Sequence, residues 1–453
     1  MNGLDWLYQS GMSWYDYRIP EGEAVLLSSG DKLRLCDMTL FTFETRLPAS
    51  QLLTSTQMHD QEDPDCRQVL EKAALDNVFT ITDRKLGSGV SGRVYMAIDR
   101  HLRHGQLACK IVQLKKCHTH GSHKCSNYSK STAKPSGHRP QTARIWREVD
   151  LLKELSHPNI VGIHRVFSTE YNIYIFEDFV TGGDLMSHIE RHDWRVDPDE
   201  CCLIVYQILK AVSYLHQSGI SHRDIKPENI LMSSTFPGAR VILTDFGGAI
   251  KVNLDSKQVS KRMLTMTGTR HYVAPEVRGN NSLVEQSGYT RAVDMWSVGC
   301  VTAAILIGRS AFATSQTSEG RQDSAAAVIA AAAKHDLQVL DDIEIWGDIG
   351  IRPKDFIRRL LVLDEQARLT ADQALMHDWF RQQDDGQAML TRYNQAVDGW
   401  RRTWPGWDFK EELDAFIDRR IPSYDPRRYC SCGEPLVSEL AFSRGVSAET
   451  GRN

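Results

Sequence analysis

No stretch of this sequence is apolar for long enough to cross a bilayer. The longest such run, Met295 to Ile307, falls short of the roughly 20 residues that a spanning helix needs and reads as a buried helix. A secretory leader is missing too: the opening Met-Asn-Gly-Leu-Asp-Trp has no basic region followed by an apolar core. Charge of one sign is not in excess. With 54 Lys and Arg against 58 Asp and Glu, the net charge is −4, so no global attraction to nucleic acid or to a membrane surface is expected. The cysteines (Cys36, Cys66, Cys109, Cys117, Cys125, Cys201, Cys202, Cys300, Cys430 and Cys432) follow no regular spacing, which argues against a disulfide scaffold and for a reducing nuclear or cytosolic compartment. What remains is a chain of 453 residues, enough for two or three domains or for one large unit with an ample core.

The densest chemistry lies in Ile220 to Leu231, Ile-Ser-His-Arg-Asp-Ile-Lys-Pro-Glu-Asn-Ile-Leu. This run sets a carboxylate (Asp224), an ammonium (Lys226) and a carboxamide (Asn229) in one short loop, which suits a hydroxyl-orienting base, a phosphate clamp and a metal ligand. Upstream, Leu86 leads into Gly87-Ser88-Gly89-Val90-Ser91-Gly92-Arg93-Val94. A strand pattern follows that glycine loop, where a dinucleotide-binding unit would have a helix. Next come Leu107-Ala108-Cys109-Lys110 and an amphipathic helix carrying Glu148. Val241 to Gly247 is a strand ending in Asp245-Phe246-Gly247, and Ala274-Pro275-Glu276 closes the segment after it.

In this order the motifs resemble the eukaryotic protein kinases from about Phe79 to Phe380. The resemblance implies an α+β, bilobal kinase fold with a small β-rich lobe and a large helical one. It implies MgATP as phosphoryl donor, Ser or Thr acceptors on protein substrates, and the following roles. Asp224 orients the attacking hydroxyl and Lys226 neutralises the transferred group, while Asn229 and Asp245 hold magnesium. The glycine-loop residues 87–92 approach the phosphates, with Leu86, Val94, Ala108 and Leu231 around the adenine. Lys110 binds phosphates and pairs with Glu148. In Tyr174-Ile-Phe-Glu177-Asp178-Phe-Val180-Thr-Gly-Gly-Asp184, backbone groups of Asp178 and Val180 meet the adenine and Asp184 meets the ribose. Glu177 takes the gatekeeper position at the back of the pocket, where a carboxylate needs a cationic or hydrogen-bonding partner or else stays protonated. Arg368 pairs with Glu276. Thr265 is the expected activating phosphorylation site, with Thr267 and Thr269 as alternatives, installed by an upstream kinase or in trans; Arg223 offers a guanidinium to it. Asp184 and Glu228 stand where kinases that read an upstream arginine place acids.

Outside that unit the patterns are plainer. Ala24 to Leu27, Lys32 to Leu35 and Leu40 to Phe43 alternate as strands, with a Gly30-Asp31 turn. Residues 1–47 thus resemble the last strands of a forkhead-associated domain, a phosphothreonine-binding β-sandwich. Its phosphate-contacting strands would lie upstream of Met1, so weak phosphothreonine binding and a start further upstream are expected. Residues 48–77 read as a polar linker with one short helix over Arg67 to Leu75. Lys115 to Thr142 is a basic insert expected to be disordered; Cys117, His118, His120, His123 and Cys125 within it match no standard zinc spacing. In the tail, 381–453, Phe409, Leu413, Phe416, Ile417 and Ile421 share a helical face expected to dock on the large lobe.

The leader, Gly248 after Asp-Phe-Gly, and the Gly-Gly-Asp hinge make the resemblance closest to calmodulin-dependent-kinase-group enzymes linked to forkhead-associated domains. These are checkpoint effector kinases, the fungal meiotic branch included, and the likeness implies a nuclear setting without direct nucleic-acid or membrane binding. Two rival readings are a pseudokinase scaffold and a phosphothreonine-binding adaptor.

Overall fold

The computed structural model of the protein describes residues 4–10, 13–19, 32–36, 39–42, 66–76, 78–89, 92–100, 105–114, 140–169, 171–251, 272–277, 290–308, 340, 346–381, 386–400 and 410–412. Four antiparallel strands come first, β1 (Leu4–Ser10), β2 (Ser13–Ile19), β3 (Lys32–Cys36) and β4 (Thr39–Thr42), in the order β2-β1-β3-β4. β3 and β4 fall on two of the alternating segments, and Ala24 to Leu27 lies outside the described residues. The β1–β2 hairpin extends the sheet beyond the sequence expectation. Its register sets Leu4 opposite Ile19, Trp6 opposite Tyr17 and Tyr8 opposite Tyr15.

Helix α1 (Cys66–Leu75) forms where the polar linker was expected to hold one. It buries Ala74 and Leu75 against the next sheet. Glu71 fixes its rotation: the buried carboxylate accepts from Asn172 Nδ2 at 2.7 Å and from the Tyr174 hydroxyl at 2.8 Å.

The small lobe is built from β5 (Phe79–Gly89), β6 (Gly92–Asp99), β7 (Gln106–Gln113), helix α2 (Pro140–Glu154), β8 (Ile163–Ser168) and β9 (Asn172–Asp178). β9 explains the layering. Strand side chains alternate between faces, so a strand buried on both sides reads as a continuous apolar run. Tyr174 and Phe176 join the outer cluster with Phe79, Phe167 and α1, Phe176 stacking on Phe79 at 4.2 Å between ring centroids. Ile173 and Ile175 join Val149 and Leu152 of α2 on the inner face. α2 begins at Pro140, inside the span expected to be a disordered insert. Proline is favoured in the first turn of a helix, where its missing N–H removes no hydrogen bond, so the boundary of that insert moves to before Pro140. Residues 115–139 of the insert lie outside the described residues.

The large lobe is helical. It contains α3 (Leu185–Arg191), α4 (Pro198–Gln217), the short pairs β10 (Ile220–Ser221) with β13 (Ile250–Lys251) and β11 (Ile230–Met232) with β12 (Val241–Leu243), then α5 (Ala292–Ile307), α6 (Ile351–Leu360), α7 (Ala371–Leu375) and α8 (Gln387–Ala396). α5 is apolar around nearly its whole circumference, as a helix buried on all sides must be. It stops at Gly308, whose φ of +66° suits glycine and where a Cβ would collide with Trp194. No described helix is long and apolar enough to cross a membrane.

In the tail, residues Lys410–Glu412 form strand β14, which pairs in parallel with β8 and makes the small-lobe order β14-β8-β9-β7-β6-β5. The open edge of β8 offers unpaired backbone groups to such a strand. Phe409, Leu413, Phe416, Ile417 and Ile421, the expected docking face, lie outside the described residues. The helix that does dock on the large lobe is α8, where Tyr393 packs on Tyr206 and its hydroxyl donates to Asn159 Oδ1 at 3.2 Å. The residues from 413 onward lie outside the described residues.

Candidate active site

Strand register assembles the roof of the site. Val94 stands opposite Lys110, Lys110 opposite Ile175, Met96 opposite Ala108, and Ala108 opposite Glu177. Cross-strand partners share a face, so Val94, Ala108, Lys110 and Glu177 all project to the side that carries α2. Leu86, Gly87, Ser88 and Gly89 end β5, and Gly92 begins β6; Val90 and Ser91 lie outside the described residues. The third glycine of the loop has a role that its motif does not announce. Gly92 has a φ of +153°, and a Cβ there would collide with the Ile111 carbonyl, so β6 and β7 can close together only around a bare backbone.

Lys110 Nζ donates to Glu148 Oε1 at 2.8 Å, joining β7 to α2. Burial works against the ammonium charge, but Glu148, Glu177 and Asp245 outweigh it and hold Lys110 protonated above its ordinary range. The same influences place Asp245 beside Lys110, although the two come from different lobes. α2 is docked inward: Arg144 Nε donates to the Gly247 carbonyl.

Glu177 is the unusual wall of this pocket. Burial pushes its carboxyl from 4.5 up to about 7; Lys110 pulls the other way, and Glu148, Asp245 and Asp178 reinforce the rise. Its cationic neighbour is thus the lysine that a nucleotide would also engage. Both influences that the sequence suggested for this position, burial favouring the proton and a cation opposing it, act on Glu177. A carboxyl raised on folding binds its proton more tightly in the native state, so the native state is favoured at low pH and loses that advantage as pH climbs from 4.5 towards 7. Glu177→Gln is therefore expected to flatten this pH dependence, with a gain over wild type of on the order of 2 kcal/mol near pH ~8 and little near pH ~5. Urea unfolding at the two pH values measures it; parallel curves for the two proteins would refute it.

The floor comes from the turns around β10 to β12. Asn229 Nδ2 donates to the Asp224 carbonyl at 2.9 Å and to Asp224 Oδ2 at 3.0 Å, while Lys226 Nζ sits 3.1 Å from the same Oδ2. The Asn229 amide oxygen is thereby turned away from Asp224 as an oxygen ligand. Asp245 adopts left-handed backbone, φ +59°, and accepts from the Gly247 amide at 3.4 Å. Strain of this kind in a non-glycine residue persists where the surroundings over-determine it.

Beneath the floor, Asp294 of α5 fixes the loop. It accepts from Ser221 Oγ at 2.9 Å, the His222 amide at 3.0 Å, the Arg223 amide at 2.7 Å and His216 Nε2 at 2.8 Å. Burial opposes its charge, yet His216, the Arg223 amide and His222 hold its carboxyl below the usual carboxylate range. Burial likewise lowers His222 despite the acids around it. The neutral ring then donates from Nε2 to the Thr244 carbonyl at 3.1 Å and accepts the Asp224 amide at Nδ1 at 3.3 Å, tying both acid-bearing turns to one imidazole. Arg223, at φ +70°, donates from Nε to the Gly248 carbonyl at 2.6 Å. Thr265, Thr267 and Thr269 lie outside the described residues.

Between the lobes, the Asp178 amide donates to the Gly162 carbonyl at 2.9 Å, and its carboxylate takes the Gly162 amide at 2.8 Å and His164 at 2.7 Å. Asp184 caps α3 by accepting the Ser187 amide at 2.7 Å and forms a bridge with Leu231, while Val180 is half-buried against the core and Glu228 is exposed. Arg368 and Glu276 form the expected pair, Nη1 to Oε1 at 2.8 Å and Nη2 to Oε2 at 3.3 Å. Sequence reasoning missed Arg144, Asp178 as a side chain and Asp294 as the anchor of the loop. The carboxylate in Asp294-Met-Trp, inside an apolar run, was the available signal for the last.

A two-lobed arrangement with a lysine–glutamate pair above and an acid–lysine–amide loop below defines a phosphotransferase. A family model for the protein kinase domain matches residues 80–380, and the chain belongs to that family. It is 32% identical over 370 residues to the meiosis-specific serine/threonine-protein kinase mek1 of Schizosaccharomyces pombe, covering 80% of this chain and 69% of that one. It is 33% identical over 318 residues to calcium/calmodulin-dependent protein kinase type 1B of Rattus norvegicus, covering 70% and 78%. The serine/threonine-protein kinase cds1 of Schizosaccharomyces pombe is 29% identical over 364 residues, covering 80% and 69%. The enzyme is accordingly a serine/threonine protein kinase, of the calmodulin-dependent-kinase group.

Proposed function

We propose that this kinase transfers the γ-phosphoryl of ATP to Ser or Thr residues preceded by arginine, in a nuclear DNA-damage or meiotic recombination checkpoint. The observation that carries the transfer reading is the convergence of Lys110–Glu148, Asp245 and the Asp224–Asn229 hydrogen bond on one cleft. Lys110 would hold the α and β phosphates, oriented by Glu148. The residues fit magnesium, a cation that prefers oxygen ligands: the Asp245 carboxylate and the Asn229 amide oxygen would hold it, and when bound it neutralises charge developing on the phosphates. Asp224 would accept the acceptor hydroxyl's hydrogen bond, with Lys226 neutralising the transferred group beside it. The Asp178 carbonyl and Val180 would receive the adenine under Val94, Ala108, Leu86 and Leu231.

The upstream-arginine reading rests on Asp184 and Glu228, two acids at the positions where kinases that read an upstream arginine place acids. The checkpoint reading rests on the names of the relatives and on the resemblance of residues 1–47 to a forkhead-associated segment. Thr265, with Thr267 and Thr269 behind it, is the proposed activating site, and the kinase unit is taken as 78–380.

Transfer of radiolabelled phosphate to a serine-peptide library tests the core of this. The expected profile favours arginine three residues before the acceptor, and Glu228→Gln should lower that preference about tenfold, the loss of one charge-assisted contact. A profile favouring proline or an acid at that position would dismiss the arginine reading and leave the transferase standing.

A further inference from the structure

We infer that the chain carries a zinc-binding site of two histidines and one glutamate beneath the hinge, between the end of α3 and the first turn of α4. One ring nitrogen each of His188 and His192 and one carboxylate oxygen of Glu200 lie within 4.8 Å of one another. The two histidines are four residues apart, which puts them on one helical face, their ring centroids 4.3 Å apart. Glu200 is brought to them by the cap of α4: Asp197 accepts the Asp199 and Glu200 amides at 2.9 and 3.2 Å, with Pro198 in the first turn.

Two features set this cluster apart from an ordinary ion pair. His188 is fully buried, and neither of its ring nitrogens has a hydrogen-bond partner, although Nε2 lies 3.2 Å from Glu200 Oε1. A buried imidazole left in this state is costly unless something else uses its nitrogens. That 3.2 Å separation is close to the edge of a tetrahedron with bonds of about 2.0 Å, the length of zinc–nitrogen and zinc–oxygen bonds. His192, for its part, is already set as a metal ligand. Its Nδ1 lies 2.9 Å from the His188 carbonyl, which can only accept, so Nδ1 carries the proton and Nε2 keeps its lone pair. A backbone carbonyl fixing the second ring nitrogen is the usual support of a metal-bound histidine.

The ligand types select the ion. Two imidazoles and one carboxylate suit zinc and its borderline neighbours over magnesium or calcium. Cys201 is not the fourth ligand, because its Sγ faces the Val196 and Ile305 carbonyls at 3.5 and 3.8 Å. Water fills the fourth position, reached past His192, which is half-buried and the most accessible of the three. Bound zinc would pin α3 to α4. Since Asp184 caps α3, the ion would stiffen the helix whose capping acid faces the ribose and the substrate on the reading proposed above.

The test uses the full chain, stripped with chelator and returned to zinc alone. Wild type is expected to retain one more zinc equivalent after dialysis than His192→Ala. Its unfolding midpoint should rise by about 5 °C or more at roughly 100 times the dissociation constant, a rise absent from His192→Ala and from Glu200→Gln. Comparing variants removes any zinc held elsewhere, including by the cysteines and histidines of residues 117–125. Equal zinc content and equal midpoint shifts in all three proteins would overturn the proposal. So would cobalt loading of wild type without the visible absorption of a tetrahedral complex, a readout that does not depend on how either variant folds.

Discussion

Asp224→Asn is expected to lower phosphoryl transfer by about 10²- to 10⁴-fold while leaving the unfolding midpoint nearly unchanged. The size follows from what Oδ2 touches. Lys226 at 3.1 Å and Asn229 Nδ2 at 3.0 Å both lean on that one oxygen, so on the proposed mechanism the carboxylate would order a cation and the metal-binding amide as well as the acceptor hydroxyl. Asparagine keeps the shape and can keep one of the two contacts, but it removes the charge that draws Lys226 and the capacity to take up a proton. The fold has little at stake. The loop is held from below by three hydrogen bonds to Asp294, and the Asp224 amide is fixed on His222, neither of which needs the Asp224 carboxylate. Single-turnover transfer, with ATP affinity measured separately, should show the loss in the chemical step. A variant that transfers phosphate within about threefold of wild type would remove Asp224 from the centre of the mechanism.

How far the sequence foretold this arrangement depended on how local each feature is. Asp224, Lys226 and Asn229 occupy one short run, and the turn that gathers them is encoded there. Lys110 and Glu148 are 38 residues apart, yet each sits in its own recognisable strand or helix, and the pair closes at 2.8 Å. Gly92 was only half legible. Its motif names phosphate approach, while the collision that forbids a Cβ comes from Ile111 across the β6–β7 register. Strand β14 was not legible for the same reason, because its pairing depends on the free edge of β8, some 240 residues earlier in the chain. The hairpin of residues 4–19 is the contrary case: alternation in Leu4, Trp6, Tyr8 and in Tyr15, Tyr17, Ile19 was there to be read. Glu177 was legible as an oddity. Its shift towards neutrality comes first from burial, which only the packed lobes reveal, and Glu148 and Asp245, acids supplied by two other elements, reinforce it.

Arg368→Ala should cost about 3–5 kcal/mol of stability, more than any substitution at the cleft, because it strands a carboxylate in the base of the large lobe. Arg368 has a side chain with no exposed surface. It satisfies Glu276 through two nitrogens, donates to the Val362 and Ala292 carbonyls, and lies over the Trp296 ring at 5.2 Å. Removing it leaves those partly buried acceptors without their donor, and the guanidinium's packing on Trp296 goes with it. Arg368→Lys separates the two contributions. Lysine keeps a charge near Glu276 but has no planar fork to meet both carboxylate oxygens while serving the carbonyls, so roughly half of the loss is expected to remain. Glu276 is the middle residue of the turn Pro275–Val277, so both variants should also lose transfer activity in step with stability. Urea denaturation of wild type and the two variants gives the free energies. A loss below about 1 kcal/mol for Arg368→Ala would mean that the pair is solvated and that some other contact holds the turn against α5.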